Sequence, residues 1–169
     1  MKDSRFGPAT GYDPAMKAEK SGDSPPGWKV RPLGAEASRL AEGLRSSPYL
    51  DASFLGALVD RDLVQTLNGR EAWTGWWEGQ ALGFLILDPG PDAVTELTLA
   101  VLPEARRKGI GHRLVEFALE RGRSEGWSQI TLMVGRDNPV AQQFFEAQGF
   151  REIHTELEDY RCMRRSLAP

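Results

Sequence analysis

Apolar residues along this chain switch between two periods, and each switch marks an element. Trp28 to Leu33 forms a short strand pattern, after which Ala37, Leu40, Ala41 and Leu44 recur at helical spacing within residues 34–44. Asp51 or Ser53 offers an N-cap for a second helix through about Leu67, with Leu55, Leu58, Val59 and Leu63 inward and Asn68-Gly69 as its end. A meander of three strands follows. Residues 71–78 alternate, placing Trp73 and Trp77 on one face and Thr74 and Trp76 on the other. Glu78-Gly79-Gln80 turns the chain, residues 81–88 are apolar on both faces, and Pro89-Gly90-Pro91-Asp92 turns it again into a strand over 93–101. A sheet apolar on both faces is covered by helices on both sides.

The second half supplies two more helices. Over 111–125, Leu114, Val115, Ala118 and Leu119 form one stripe, Arg113, Glu116, Glu120, Arg121 and Arg123 are expected to face water, and Gly126 is the expected C-cap. Ile130 to Val134 forms a short buried strand, and residues 138–150 form a capped helix. Pro139 pushes Asn138 out of the helical region and suits the first helical position, so Asn138 becomes the N-cap, and Gly149 supplies the left-handed stop. Strands are expected near 152–157 and over 160–167.

Chemistry enters where the strand ending at Val101 passes through Leu102-Pro103-Glu104-Ala105 into Arg106-Arg107-Lys108-Gly109-Ile110-Gly111. Glycines at a strand-to-helix turn let the backbone approach a ligand closely, unpaired N–H groups point outward, and the helix dipole favours an anion. Three cations lie beside them. There is no Gly-Lys-Ser/Thr ending, which argues against a P-loop, and one glycine pair after three basic residues fits a dinucleotide fingerprint poorly. The six residues match Gln/Arg-x-x-Gly-x-Gly/Ala, and here the chain resembles the GNAT superfamily of acetyl-CoA-dependent N-acyltransferases. The block Asn138-Pro139-Val140-Ala141 to Gly149-Phe150 is similar to a second motif of that family. The resemblance covers about residues 28–167 and is strongest over 97–150.

The resemblance implies an α/β fold of the α+β type. Its sheet is mixed and mostly antiparallel, of about six or seven strands, with helices on both faces and a splay between the strands ending at Val101 and Val134. It implies acetyl-CoA as acyl donor, with Arg106, Arg107, Lys108, Gly109, Ile110, Gly111 and His112 around the pyrophosphate. The main chain of Leu99, Ala100 and Val101 would lie along the pantetheine arm, flanked by Asn138, Ala141, Phe144 and Phe145. The expected reaction moves acetyl to a primary amine by direct attack. The amine could belong to a small molecule, an amino acid or a protein, and Tyr49 and Phe54 are candidates for the acceptor pocket, with core packing the bland role for Phe54. A homodimer is allowed for.

Catalytic groups are less marked. Many members carry a tyrosine where this chain has Phe145, and a phenyl ring donates no proton; Tyr160 is the substitute hydroxyl considered. A coenzyme thiolate of pKa about 8.5 can also leave unassisted. Glu96 is the candidate base, yet alternation puts it opposite Thr95, Leu97, Leu99 and Val101. Members often place the base at the positions of Thr95 or Leu97, so Glu96 needs a bulge to reach the same site. The weak acid position and uncertain base leave a catalytically weak acyl-CoA-binding module as the alternative.

Composition narrows the rest. The 169 residues suit one domain over 28–169, preceded by a Gly-, Pro- and Ser-rich leader over 1–27 without apolar period. A net charge of -3 disfavours general nucleic-acid binding, so the basic run at 106–108 is local, and the Trp73, Trp76 and Trp77 cluster is assigned to sheet packing. Cys162 is the only cysteine, and His112 and His154 lack partners at metal-ligand spacing, so no metal is expected. No stretch approaches the roughly 18 apolar residues of a membrane span, and the cytoplasm is the expected compartment.

Overall fold

The structure is a computed structural model and describes residues 26–48 and 70–167. The leader through residue 25, the expected second helix, Tyr49 and Phe54 lie outside the described residues. The elements run β1 (Trp28–Pro32), α1 (Ala37–Leu44), β2 (Glu71–Trp77), β3 (Gln80–Pro89), β4 (Val94–Val101), α2 (Ile110–Glu125), β5 (Gln129–Gly135), α3 (Pro139–Ala147), β6 (Arg151–Ile153) and β7 (Tyr160–Ser166). They build one seven-stranded sheet in the order β1-β2-β3-β4-β5-β7-β6. Among the described strands only β4 and β5 pair in parallel; the other pairings are antiparallel.

The turns follow local chemistry. Glu78 and Gly79 join β2 to β3 with both φ positive, at 47° and 79°, the two-residue turn that matches strand twist. One bulge interrupts this hairpin. Gly75 pairs Gly83 and Trp76 pairs Ala81, so Leu82 is the extra residue. Asn138 caps α3 by accepting from the Ala141 N–H at 3.1 Å, with Pro139 as first helical residue and Gly149 left-handed beyond its end. Gly126 closes α2 in the same left-handed way.

Cross-strand pairing assigns each helix to a face. Trp73 stacks edge-on against Phe117 with centroids 5.0 Å apart, and Glu71 meets Arg121, so α2 covers the face of Trp73, Leu85 and Leu99. Helix α3 shares that face: His112 is bonded to Gln148 at 2.8 Å and Arg161 to Gln142 at 2.7 Å. On the other face Thr74 donates to Glu36 at 2.7 Å just ahead of α1, whose Ala37, Leu40, Ala41 and Leu44 are buried. Both faces therefore carry a helix, and α1 extends past β2 and β3 to Leu102 just beyond β4, where a Cβ on Gly43 would stand 2.5 Å from Leu102 Cδ2.

Two expectations change. Arg121 does not face water: its side chain is 11% exposed and makes paired bonds to Glu71, with Glu125 one turn further on. Its partner lies fifty residues upstream, out of reach of any helical period. The strand expected near 152–157 is only Arg151–Ile153, because β7 pairs it over three residues before the chain loops back, where Arg136 N–H donates to Asp159 O.

Candidate active site

The parallel β4–β5 ladder is short. It joins Val94, Thr95 and Glu96 to Gln129, Ile130 and Thr131 and then stops. Above that point the strands fork, while β3 stays paired with β4 as far as Val101. Leu102 N–H donates to Leu82 O at 2.9 Å, which fixes the parity of the antiparallel ladder. Even-numbered residues of β4 bond to β3; beyond the parallel ladder the Leu97 C=O, both main-chain groups of Leu99 and the Val101 N–H turn toward the fork, while the Val101 C=O accepts from Arg106. Unpaired backbone at a sheet edge is where an extended amide-bearing chain can add. A pantetheine arm has that form, so these residues fit it.

At the upper end of the fork the chain tightens into an anion cradle. Arg107 has φ 62° and Gly109 φ 82°. The left-handed conformation costs a non-glycine residue about 1–2 kcal/mol, and strain of this kind persists at ligand clamps. Successive N–H groups in such a turn converge on one point. Gly109 is also the N-cap of α2, where no side chain caps the helix, so its first amides are left for a ligand. Arg106 donates from Nε to Val101 O at 3.3 Å, tying the cradle to the strand end. Arg106, Arg107 and Lys108 are exposed and have no carboxylate partner among the described residues, so their positive field is uncompensated.

The wall opposite β4 comes from α3. A Cβ on Gly111 would meet Phe144 Cζ at 3.2 Å and Val101 Cγ2 at 3.7 Å, so this glycine lets the start of α2 pack closely against Phe144 of α3 and the end of β4. Asn138 spends its side chain on the cap and places Ala141 and Phe144, both half-buried, toward the fork. Phe145 is 8% exposed, 5.0 Å from Phe144 and 5.6 Å from Phe150 in edge-on stacks, so it belongs to the core beneath that wall. His112, expected to face phosphate or solvent, is 52% exposed at the start of α2, with Nδ1 2.8 Å from Gln148 at the end of α3 and Nε2 3.2 Å from Glu116 one turn along its own helix.

Glu96 is exposed, and the β3–β4 register runs unbroken past it. The bulge that would turn it toward Thr95 and Leu97 is absent from β4; the bulge of this sheet is at Leu82. Thr95 and Leu97 are buried at 0% and 3% under α2, with Thr95 Oγ1 unpartnered. Glu96 is thus accessible at the base of the fork, while Ala100 and Leu102 higher on the same face are buried. Tyr160 pairs with Gly135 at the upper end of β5 and is 49% exposed on that same side.

Sequence pattern missed the support of the β5–α3 turn. Gln142 donates from Nε2 to Gly135 O at 2.7 Å and Arg136 O at 3.0 Å, and its own carbonyl is held by Arg161. Glu152 and Glu146 complete that cluster. A cleft of about 460 Å³ between Trp77, Gln80, Leu82, Glu104 and Lys108 touches the cradle from the β3 side, away from the fork. Among the described residues no three His, Cys, Asp or Glu form a metal cluster, and no helix is long and apolar enough to cross a membrane.

The acetyltransferase (GNAT) family model matches residues 40–150. An L-2,4-diaminobutyric acid acetyltransferase from Nocardia farcinica is 30% identical over 135 residues, covering 78% of this chain and 62% of that protein. The chain spans between 20% and 62% of the length of the curated relatives it matches. Among solved structures, a spermidine N-acetyltransferase SpeG chimera from Vibrio cholerae and hSSAT superposes with TM-score 0.71 at 18% identity, covering 83% of this chain and 95% of that one. The PaiA N-acetyltransferase from Thermoplasma acidophilum in complex with coenzyme A gives 0.69 at 20% identity, covering 82% and 98%.

Proposed function

Since the chain belongs to the acetyltransferase (GNAT) family, we propose that it transfers acetyl from acetyl-CoA to an aliphatic primary amine by direct attack. The observation that carries this reading is the continuity of three features: the left-handed cradle at 107–109, the unpaired edge of β4, and the fork that opens above Glu96. The relatives named for diaminobutyric acid and spermidine support an amine as acceptor class.

The coenzyme supplies an activated thioester. Amides from Arg107 to Gly111 bind its diphosphate, and Leu97, Leu99 and Val101 hold the arm along β4, spanning about 13 Å at strand rise. That length puts the acyl end at the base of the fork. An N–H of the β4 edge donates to the carbonyl oxygen as charge develops there. Glu96, exposed at the base of the fork, takes the proton of the incoming ammonium so that nitrogen bonds to the carbonyl carbon as the carbon–sulfur bond breaks. Phe145 offers no proton to the departing sulfur, so it leaves as thiolate and takes up, through water, the second proton that the acylated nitrogen sheds; Tyr160, opposite Gly135 at the upper end of β5, is the hydroxyl to test. Turnover of acetyl-CoA against a panel of aliphatic amines, read by free thiol release, is expected to give acetylated amine. Coenzyme binding without turnover on any amine would favour an acyl-CoA-binding module instead.

A further inference from the structure

The face of the sheet opposite α2 and α3 carries one row of side chains directly below the fork. Register places Asp88 beside Glu96, Glu96 beside Thr131, Thr131 beside Arg164 and Arg164 beside Arg151, and residues in register point to the same face. Most charges around this end of the sheet are matched. Asp88 is held by Arg70 at 2.5 Å, Arg161 by Glu152 at 2.7 Å, and Arg151 spends its guanidinium on the Glu146 and Phe150 carbonyls. Glu96 and Arg164 are the exception. Both are exposed, and neither has a hydrogen-bond or ion-pair partner among the described residues.

An unpaired carboxylate and an unpaired guanidinium thus stand two strands apart, about 10 Å between Cα atoms at ordinary strand spacing. Thr131 lies between them with its hydroxyl 3.5 Å from Thr95 O. One row higher the same face is apolar, with Met133 51% exposed beside Cys162 and Ile153. Resting on the acetyl-transfer reading above, we propose that the acceptor is an amino acid whose reacting ammonium is received by Glu96 and whose carboxylate is bound by Arg164, its aliphatic chain lying against Met133. A carboxylate is the ligand a guanidinium fork fits best, and a simple polyamine would leave Arg164 facing a like charge.

The test compares matched acceptors, lysine with cadaverine and ornithine with putrescine, on the full chain and on Arg164→Ala. The full chain is expected to use the amino acids with KM at least tenfold lower than the diamines. Arg164→Ala is expected to raise KM for the amino acids about 10- to 100-fold, the scale of one charge-assisted bond, with kcat and the KM for acetyl-CoA held. Arg164→Glu should then prefer the diamines. Equal use of both acceptor types, unmoved in Arg164→Ala, overturns the carboxylate assignment while leaving acetyl transfer intact. So does a dimer that Arg164→Glu dissociates without changing the acceptor ratio, since the row would then serve a second copy. Failure of every amine despite coenzyme binding overturns both.

Discussion

Single residues carry the chemistry unequally. The capping residues were legible because their signals are local: Pro139 forces Asn138 into the cap, and Gly126 and Gly149 take the left-handed stops that end α2 and α3. Glu96 was legible as a carboxylate and as a residue of the face opposite Thr95, but which face stays open depends on where α2 packs, and no local pattern states that. With Thr95 and Leu97 sealed under α2, Glu96 is the exposed carboxylate of β4, which is why the proposal assigns it the amine proton. Glu96→Gln is therefore expected to lower kcat about 10²- to 10⁴-fold with the KM for acetyl-CoA unchanged. A kcat within twofold of the parent would remove Glu96 as base. The burial of Arg121 left no local signal, because its partner Glu71 lies far away in sequence.

At the scale of elements, the strand-to-helix turn at 101–111 was readable to within one residue, since α2 starts at Ile110 immediately after its left-handed cap. The bulge at Leu82 was hidden. Residues 81–88 are apolar on both faces, so shifting the register by one residue leaves the pattern unchanged. The close approach of β3 and β4 above the bulge depends on Gly83: a Cβ there would stand 2.7 Å from Ala100 O and 3.3 Å from Val101 Cγ2. Backbone cannot step aside as a side chain does. Gly83→Ala is expected to cost about 1–3 kcal/mol in urea unfolding and to weaken coenzyme binding by displacing the end of β4. An unchanged midpoint would show that the two strands have slack.

For the whole molecule, sheet order and fork were implied by resemblance and not by periodicity, because a parallel pairing of three residues leaves no trace in hydrophobic spacing. Beyond the fork, a surface charge cluster joins α3, β6 and β7 over the buried Leu132, Phe145, Phe150 and Met163. A hydrogen bond from Arg161, then the charges of Arg161 and Arg136, hold Glu152 below the ordinary carboxylate value, while Arg161 is raised by Glu152 and Glu146. A carboxylate depressed in the folded state adds stability that is present above its unfolded pKa and is lost as pH falls through the folded one. The Tm difference between parent and Glu152→Gln should then be present at pH 7 and close below about pH 4. A difference constant across that range would mean the cluster contributes nothing through ionisation.

All of these scales meet at the cradle between Arg107 and Gly111, so the most direct test is calorimetric titration of coenzyme A into the parent and into Gly109→Glu, with Gly109→Ala as control for backbone strain. A Cβ at Gly109 meets no atom within 4 Å, so the variant should fold, while its carboxylate faces the diphosphate and the left-handed backbone at φ 82° is strained equally in both variants. The account predicts that the glutamate variant loses affinity at least 100-fold and the alanine variant far less. Parent-like affinity in Gly109→Glu would contradict it.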